Sequence, residues 1–335
     1  MNELSDPSMF ATLLQRFFIE RLMKQKNVSP QTVAAYRDAF KLLLVYFDKK
    51  LRKTPDTICL SDVDATSILS FLEFLEKERG NSIRSRNARL AAIRSFMHYV
   101  AMNAPPALLL SQQILAIPMK RFEKPLLEFL SLEEIQALLK APDPKSWFGR
   151  RDRLLFQILY NTGARVSELT NIRAKDVTFE GIPCIRLHGK GRKQRTLPLW
   201  KETAAQLRLW LAEEGLQPDD YLIPNRQHRK MTRCNVCARL ALAVSKASNQ
   251  LPSLRNRNIS PHTVRHGTAM HMLQSGVDIT VIALWLGHES PVTTHGYVEA
   301  DLLIKEKALA QIDSPKNKKT RYQPPAAILK FLEEL

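Results

Sequence analysis

The sequence predicts a mainly α-helical protein carrying one small antiparallel β-sheet. Three observations predict it. Apolar residues recur at helical spacing through the first hundred residues, with almost no strand-like alternation. Three short β-prone runs separated by glycine turns lie between positions 177 and 199. After position 200 helical spacing returns.

In chain order, Ser29-Pro30 opens a helix, with proline at the first helical position, where its missing N–H costs nothing. Val33, Tyr36, Phe40, Leu43, Leu44 and Phe47 form its apolar face. Ser61-Asp62-Val63-Asp64 caps a second helix through Ile68, Leu69, Leu72 and Leu75, and Gly80 closes it. A third, 82–100, sets Ile83, Leu90, Ile93, Phe96 and Met97 against a face of Arg84, Arg86, Asn87, Arg89 and Arg94. Such a face suits phosphate and groove contacts, and equally a plain solvated surface. Prolines 105, 106, 118 and 125 then punctuate an aperiodic basic stretch that reads as an interdomain linker. Ser131-Leu132-Glu133-Glu134 is a capping box opening a second domain. A helix over 150–160 stops at Gly163, and runs at 177–179, 182–187 and 195–199 form a meander turning at Glu180-Gly181 and 189–193. Helices follow over 201–214, 232–248, 261–274, 278–286 and 301–312. The expected organisation is therefore a helical domain at 1–104, a linker at 105–128, a second domain at 129–313 and a basic tail at 314–335. Within that tail 326–335 places Ile328, Leu329, Phe331, Leu332 and Leu335 on one side. So short a helix needs a surface to bury that side, on its own domain or on a neighbouring subunit.

Composition narrows the function classes. A formal charge of +17 on 335 residues repels itself in a compact fold unless a polyanion is the normal partner. Nucleic acid fits, because each neutralised phosphate releases a counterion, although ribosomal, membrane-surface and heparin-like partners stay open on charge alone. No apolar run approaches bilayer length, and the acidic opening Met1-Asn2-Glu3-Leu4-Ser5-Asp6 is no secretory signal, so a cytoplasmic protein is expected. Cys59, Cys184, Cys234 and Cys237 are too scattered for a disulfide framework. Cys234 and Cys237, with His228 upstream, have metal-like spacing but lack a second pair, so they read as helix packing beside Val236, Leu240 and Val244. Neither a metal nor a cofactor is expected.

Four passages of the second domain carry an unusual set of groups. Thr162-Gly163-Ala164-Arg165-Val166-Ser167-Glu168-Leu169 sets an arginine just after a helix stop, and Gly189-Lys190-Gly191 exposes a lysine at a hairpin tip. His262 and Arg265 lie three apart at a helix start, hence on one face, and Leu286-Gly287-His288 precedes Tyr297. Singly, these are an ion pair, a solvated lysine, a capping histidine and a core tyrosine. Together they supply what phosphoryl transfer without a metal requires. Two guanidiniums grip nonbridging oxygens, a tyrosine attacks, and a lysine or histidine protonates the departing oxygen.

These passages resemble the catalytic boxes of the tyrosine recombinases of the phage integrase and Xer class. The resemblance implies a helical core-binding domain and a recombinase catalytic domain. It gives Arg165 the role of first arginine, with Glu168 in support, and makes Lys190 the general acid through Gly189-Lys190-Gly191-Arg192-Lys193-Gln194-Arg195. It assigns His262 to proton transfer, Arg265 to the second clamp, His288 to a supporting hydrogen bond and Tyr297 to nucleophilic attack. Gly296 departs from the family, which more usually has a bulkier apolar residue there. Contacts to duplex DNA would come from Arg84, Arg86, Asn87, Arg89, Arg94, Arg192 and Lys193. Four subunits would pair two sites on the nucleoid, exchanging the segment 326–335, with accessory proteins admitted. An integrase, resolvase or transposase role fits the same plan. Three other readings fit parts of the pattern: a type IB topoisomerase, a DNA-binding protein with a decayed catalytic domain, and a metallohydrolase using His262 and His266. The terminal segment speaks against the first, the filled catalytic positions against the second, and the neighbouring arginines against the third.

Overall fold

The computed structural model describes residues 3–122, 129–189, 193–288, 330 and 334. The chain divides into two compact units, Met1–Lys124 and Pro125–Leu335. Each has its own apolar core.

The first unit contains helices α1 (Pro7–Arg16), α2 (Pro30–Leu51), α3 (Ala65–Lys77), α4 (Ile83–Asn103) and α5 (Leu108–Leu115), with a π-helical stretch, Phe17–Gln25, continuing α1. The expected caps form. Ser29 Oγ accepts from the Thr32 N–H, Asp64 Oδ1 from Ser67 and Ser82 Oγ from Ser85. Helix also precedes Ser29, where the sequence reading placed no element. Its Phe17 packs against Phe40 and Phe96, whose own ring centroids are 5.3 Å apart, edge to face.

Two expectations fail in this unit. Residues 105–117 are not linker: Pro105 and Pro106 open a 3₁₀ turn, positions where a missing N–H is harmless, and α5 follows. Ala107, Ile114 and Ile117 then fill the unit's own core. The arginine face of α4 is also not uniformly open for DNA. Arg86 is 4% exposed, lies 3.3 Å from Glu76 and donates to the Pro118 carbonyl. The Asn87 amide is occupied at both ends by the Lys120 backbone, at 2.8 and 3.1 Å. Both side chains hold the segment 118–120 onto α4 and are withdrawn from the DNA-contact set. Arg84 is exposed, Arg89 donates to the Ala35 carbonyl, and Arg94 is half-buried.

The second unit contains α6 (Leu132–Lys140), α7 (Trp147–Thr162), α8 (Val166–Leu169), β1 (Val177–Thr178), β2 (Cys184–His188), β3 (Gln194–Pro198), α9 (Lys201–Glu214), α10 (Arg233–Ala247), α11 (Pro261–Gln274) and α12 (Ile279–Leu286). The fold class is therefore the predicted one, mainly helical with a three-stranded antiparallel sheet in the order β1-β2-β3. Val177 pairs with Ile185, Ile185 with Leu197 and Leu187 with Arg195. Ile185, Leu187 and Leu197 turn their side chains into the core. The Ser131–Glu134 capping box forms reciprocally, at 2.9 and 3.1 Å. Cys234 is exposed and Cys237 half-buried on α10, while Val236 and Leu240 are in the core. The central helix α7 is buried along most of its length, and α11 docks on it. Thr268 Oγ1 donates to the Tyr160 carbonyl at 2.8 Å, and the Tyr160 hydroxyl meets His271 Nδ1 at 2.8 Å. Among the described residues no helix is long and apolar enough to cross a membrane. The expected helix 301–312 and the boundary at 313 lie outside the described residues, as does the terminal helix 326–335 apart from positions 330 and 334.

Candidate active site

Local sequence chemistry fixes the frame. Gly163 ends α7 in the left-handed region (φ 57°), and a Cβ there would meet the Leu286 Cδ2 at 2.5 Å. Glycine is thus required both by conformation and by the approach of α12. The chain then enters α8, and Glu168, three residues on, accepts from the Arg165 N–H at 2.9 Å. Ser260 caps α11 through the Thr263 N–H, with Pro261 in its first turn, which places His262 and Arg265 on one face. Gly287 (φ 65°) ends α12 and turns the chain toward His288.

The C-terminus of α12 is where these parts meet. A helix end leaves carbonyls without intrahelical partners. Here the His288 N–H takes the Ala283 carbonyl and the Gly287 N–H takes that of Leu284. The next three consecutive carbonyls go to three arginines. Arg195 Nε donates to Trp285 at 2.8 Å, Arg265 Nη2 to Leu286 at 2.8 Å and Arg165 Nη2 to Gly287 at 3.2 Å. Cations at the negative end of a helix are electrostatically favoured. Arg265 also donates Nη1 to the Gly163 carbonyl, joining the ends of α7 and α12.

Glu168, 2% exposed, balances this charge. It pairs with Arg165 Nη1 at 2.9 Å and receives both terminal nitrogens of Arg195, at 3.1 and 2.8 Å. Burial alone would raise its carboxyl. Hydrogen bonds from Arg195, from the Arg165 N–H and from the Arg165 side chain outweigh that and hold it below the usual range. The Arg165 side chain remains 43% exposed, so the face of its guanidinium turned from Glu168 is open to an anion. Arg265 is 2% exposed, enclosed where the ends of α7 and α12 meet.

His262 and His266 meet one turn apart on α11, ring centroids 4.3 Å from each other and planes tilted by 56°. Burial lowers His266 to about 4, with His262 and Arg265 adding to the effect. His288 is lowered to about 4 by burial first, then by the charges of Arg265, Arg165, His266 and Arg195. Both imidazoles are therefore neutral at pH 7, and His288 presents a neutral ring beside the arginines. Because the folded values lie below the ordinary 6.5, the unfolded chain binds more protons between pH 6.5 and 4. Stability contributed by the neutral rings is complete above pH 6.5 and is lost as pH falls toward 4. The melting temperature of the second unit should hold above pH 7 and drop by several degrees across that window, at roughly 2–4 °C per kcal/mol. A melting temperature that stays flat from pH 7 to 4.5 contradicts it.

Of the residues expected from sequence, Arg165, Glu168, Arg265 and His288 gather at the end of α12, and His262 joins them through His266. Lys190, Arg192 and Tyr297 lie outside the described residues. Lys193 is exposed, and its carbonyl accepts from the Gly189 N–H at 2.8 Å, closing the base of the hairpin loop. The sequence reading gave no role to Arg195. A signal was present, since strand alternation sets Arg195 on the same face as Leu197 and Leu199, an apolar face where an arginine needs a partner. His266, which the sequence pairs with His262 only in the metallohydrolase reading, meets that ring directly.

Comparison with known proteins places the chain in a family. Residues 128–302 match the model of the phage integrase family, and residues 15–103 match the phage integrase N-terminal SAM-like domain. A Sinorhizobium fredii protein provisionally named integrase/recombinase y4rC is 42% identical, over 97% of this chain and 98% of its own length. The tyrosine recombinase XerD of Pseudomonas aeruginosa is 30% identical, over 84% of this chain and 90% of its own. Among solved structures, XerH recombinase bound to a palindromic difH substrate shares the fold with a TM-score of 0.66 at 22% identity. That match covers 92% of this chain and 90% of the other. On these matches the chain belongs to the phage integrase family of tyrosine recombinases.

Proposed function

We propose that the protein cleaves and rejoins duplex DNA at specific sites by transesterification that needs neither metal nor ATP. The Tyr297 hydroxyl attacks the scissile phosphorus, and the bond from phosphorus to the neighbouring 5′ oxygen breaks. A 3′-phosphotyrosine forms, and the departing oxygen leaves as a 5′-hydroxyl after protonation by Lys190, with His262 assisting proton transfer. Arg165 and Arg265 stabilise the charge that builds on the nonbridging oxygens, and neutral His288 adds a hydrogen bond. A 5′-hydroxyl from the partner strand then attacks the phosphotyrosine and releases Tyr297. One phosphoester replaces another at each step, so no external energy source enters. Four copies would pair two DNA sites, with the segment 326–335 exchanged between neighbours. Arg84, Arg89, Arg94, Arg192 and Lys193 would contact the duplex, chiefly at phosphates.

The observation that carries this reading is the convergence of Arg165, Arg265 and His288 on one helix end, where Glu168, among the described residues the buried carboxylate of the cluster, is already engaged by arginine. The excess of positive charge there favours an anion, and the exposed Arg165 guanidinium offers it charged donors. The test is incubation of the full chain with supercoiled DNA carrying the sequences that flank its gene, in EDTA, followed by denaturing electrophoresis. A covalent protein–DNA adduct is expected, and peptide mass spectrometry should find the nucleotide on Tyr297. Absence of an adduct, or its attachment to another residue, rejects the reading.

A further inference from the structure

We infer that Arg195 is a positioning residue that holds the phosphate clamp in register by tying the Glu168–Arg165 passage to the turn presenting His288; the inference rests on the function proposed above. The guanidinium is built into the site rather than offered to a ligand. Its Nε donates to the Trp285 carbonyl at 2.8 Å while Nη1 and Nη2 form a fork on the two Glu168 oxygens, at 3.1 and 2.8 Å. The side chain is 14% exposed, against 43% for Arg165 on the same carboxylate. One of the two arginines thus faces outward and the other inward.

Two glycines record how closely Arg195 is fitted. A Cβ at Gly287 would stand 2.9 Å from its Nη1 and 3.3 Å from its Cζ. A Cβ at Gly189 would lie 3.3 Å from Glu168 Oε1 and 4.0 Å from Arg195 Nη1. The end of the hairpin strand, the Arg165 passage and the His288 turn therefore close on one planar group. The three contacts span 27 and 90 residues of sequence, so no local interaction duplicates them. Lysine cannot substitute. A single ammonium lacks the fixed fork that reaches both carboxylate oxygens while a third nitrogen bonds a carbonyl in another direction.

If the fork is lost, Glu168 keeps only Arg165, and the Trp285 carbonyl and Gly287 turn lose the group packed against them. Arg165 Nη2 bonds the Gly287 carbonyl and His288 is the next residue, so both clamp elements shift together. Displacements of an ångström in such a site cost about 10²-fold in rate.

The test compares the parent, Arg195→Lys and Gly287→Ala, the last setting a methyl group 2.9 Å from Arg195 Nη1 in a turn at φ 65°. Single-turnover adduct formation is measured at saturating DNA on three substrates: an ordinary phosphodiester, a methylphosphonate at the scissile position, and a 5′-bridging phosphorothiolate. The methylphosphonate lacks one anionic oxygen and so leans less on paired guanidiniums. The phosphorothiolate leaving group needs no proton. Both variants are expected to lose about 10²-fold on the phosphodiester and to recover most of that deficit on the methylphosphonate only. A merely structural role would lower the active fraction alike on every substrate, and equal deficits on all three overturn the inference. Recovery confined to the phosphorothiolate also overturns it, moving the effect to the general acid. If the parent itself forms no adduct, the proposed function fails and this inference falls with it; an active parent with uniform deficits removes the inference alone.

Discussion

An Arg165→Ala chain should form the covalent adduct about 10³-fold more slowly than the parent while binding duplex DNA nearly as well. Two facts set that separation. The outward face of Arg165 is the most accessible guanidinium surface at the end of α12, so its loss removes a donor from the charge that builds on the phosphorus. DNA affinity, by contrast, is shared among many phosphate contacts, and removing one lowers the salt slope by only about 1. The fold should tolerate the change. Glu168 keeps the Arg195 fork and the backbone N–H of residue 165, so the buried carboxylate is still answered. Rapid-quench measurement of adduct at saturating DNA, beside fluorescence anisotropy for affinity, separates the two effects. Adduct formation at the parent rate, or a parallel collapse of binding, contradicts the assignment of Arg165 to the clamp.

The parts of this site that were legible in sequence are those whose meaning is local. Gly163 and Gly287 announce helix ends because a left-handed backbone favours glycine, and Ser260-Pro261 announces a helix start. The residues just beyond those signals, Arg165, His262 and His288, are consequently placed at element termini by chemistry that spans only a few positions. The meander over β1 to β3 was legible for the same reason, since glycine turns and alternation are short-range.

What stayed hidden depends on partners far away in the chain. Arg86 and Asn87 lie on a face rich in arginine, and nothing nearby reveals that Glu76 and the backbone of 118–120 will cover them. The prolines at 105 and 106 signal a break in helix, but whether the following helix joins the first core is decided by Ala107, Ile114 and Ile117 meeting apolar residues from other helices. Arg195 belongs to the same class. Its position on an apolar strand face was visible, whereas its carboxylate and carbonyl partners come from separate passages.

The largest effect on stability should come from Glu168→Ala. At present the buried carboxylate answers two guanidiniums, one of them nearly enclosed. Removing it leaves Arg195 desolvated without an anion, beside Arg165 and Arg265, and breaking a buried pair in this way costs about 3–5 kcal/mol. Glu168→Gln should rescue little, because its amide group would turn a donor toward guanidinium N–H groups that also donate. The four tryptophans, Trp147, Trp200, Trp210 and Trp285, all belong to the second unit, so urea unfolding followed by tryptophan fluorescence reports that unit alone. Its midpoint should fall markedly in both variants, while the first unit, which shares none of these contacts, retains its helical signal at the urea concentrations where the second has lost its own. The contrast with Arg165→Ala is the decisive part. Both changes remove one member of the same ion pair, yet one leaves a buried anion still held by Arg195 and the other leaves a nearly enclosed cation with the Trp285 carbonyl but no anion. If the Glu168 variants unfold at the parent midpoint, the carboxylate is not the keystone of the arginine cluster, and the register of Arg165 and His288 must be set by the α12 carbonyls alone.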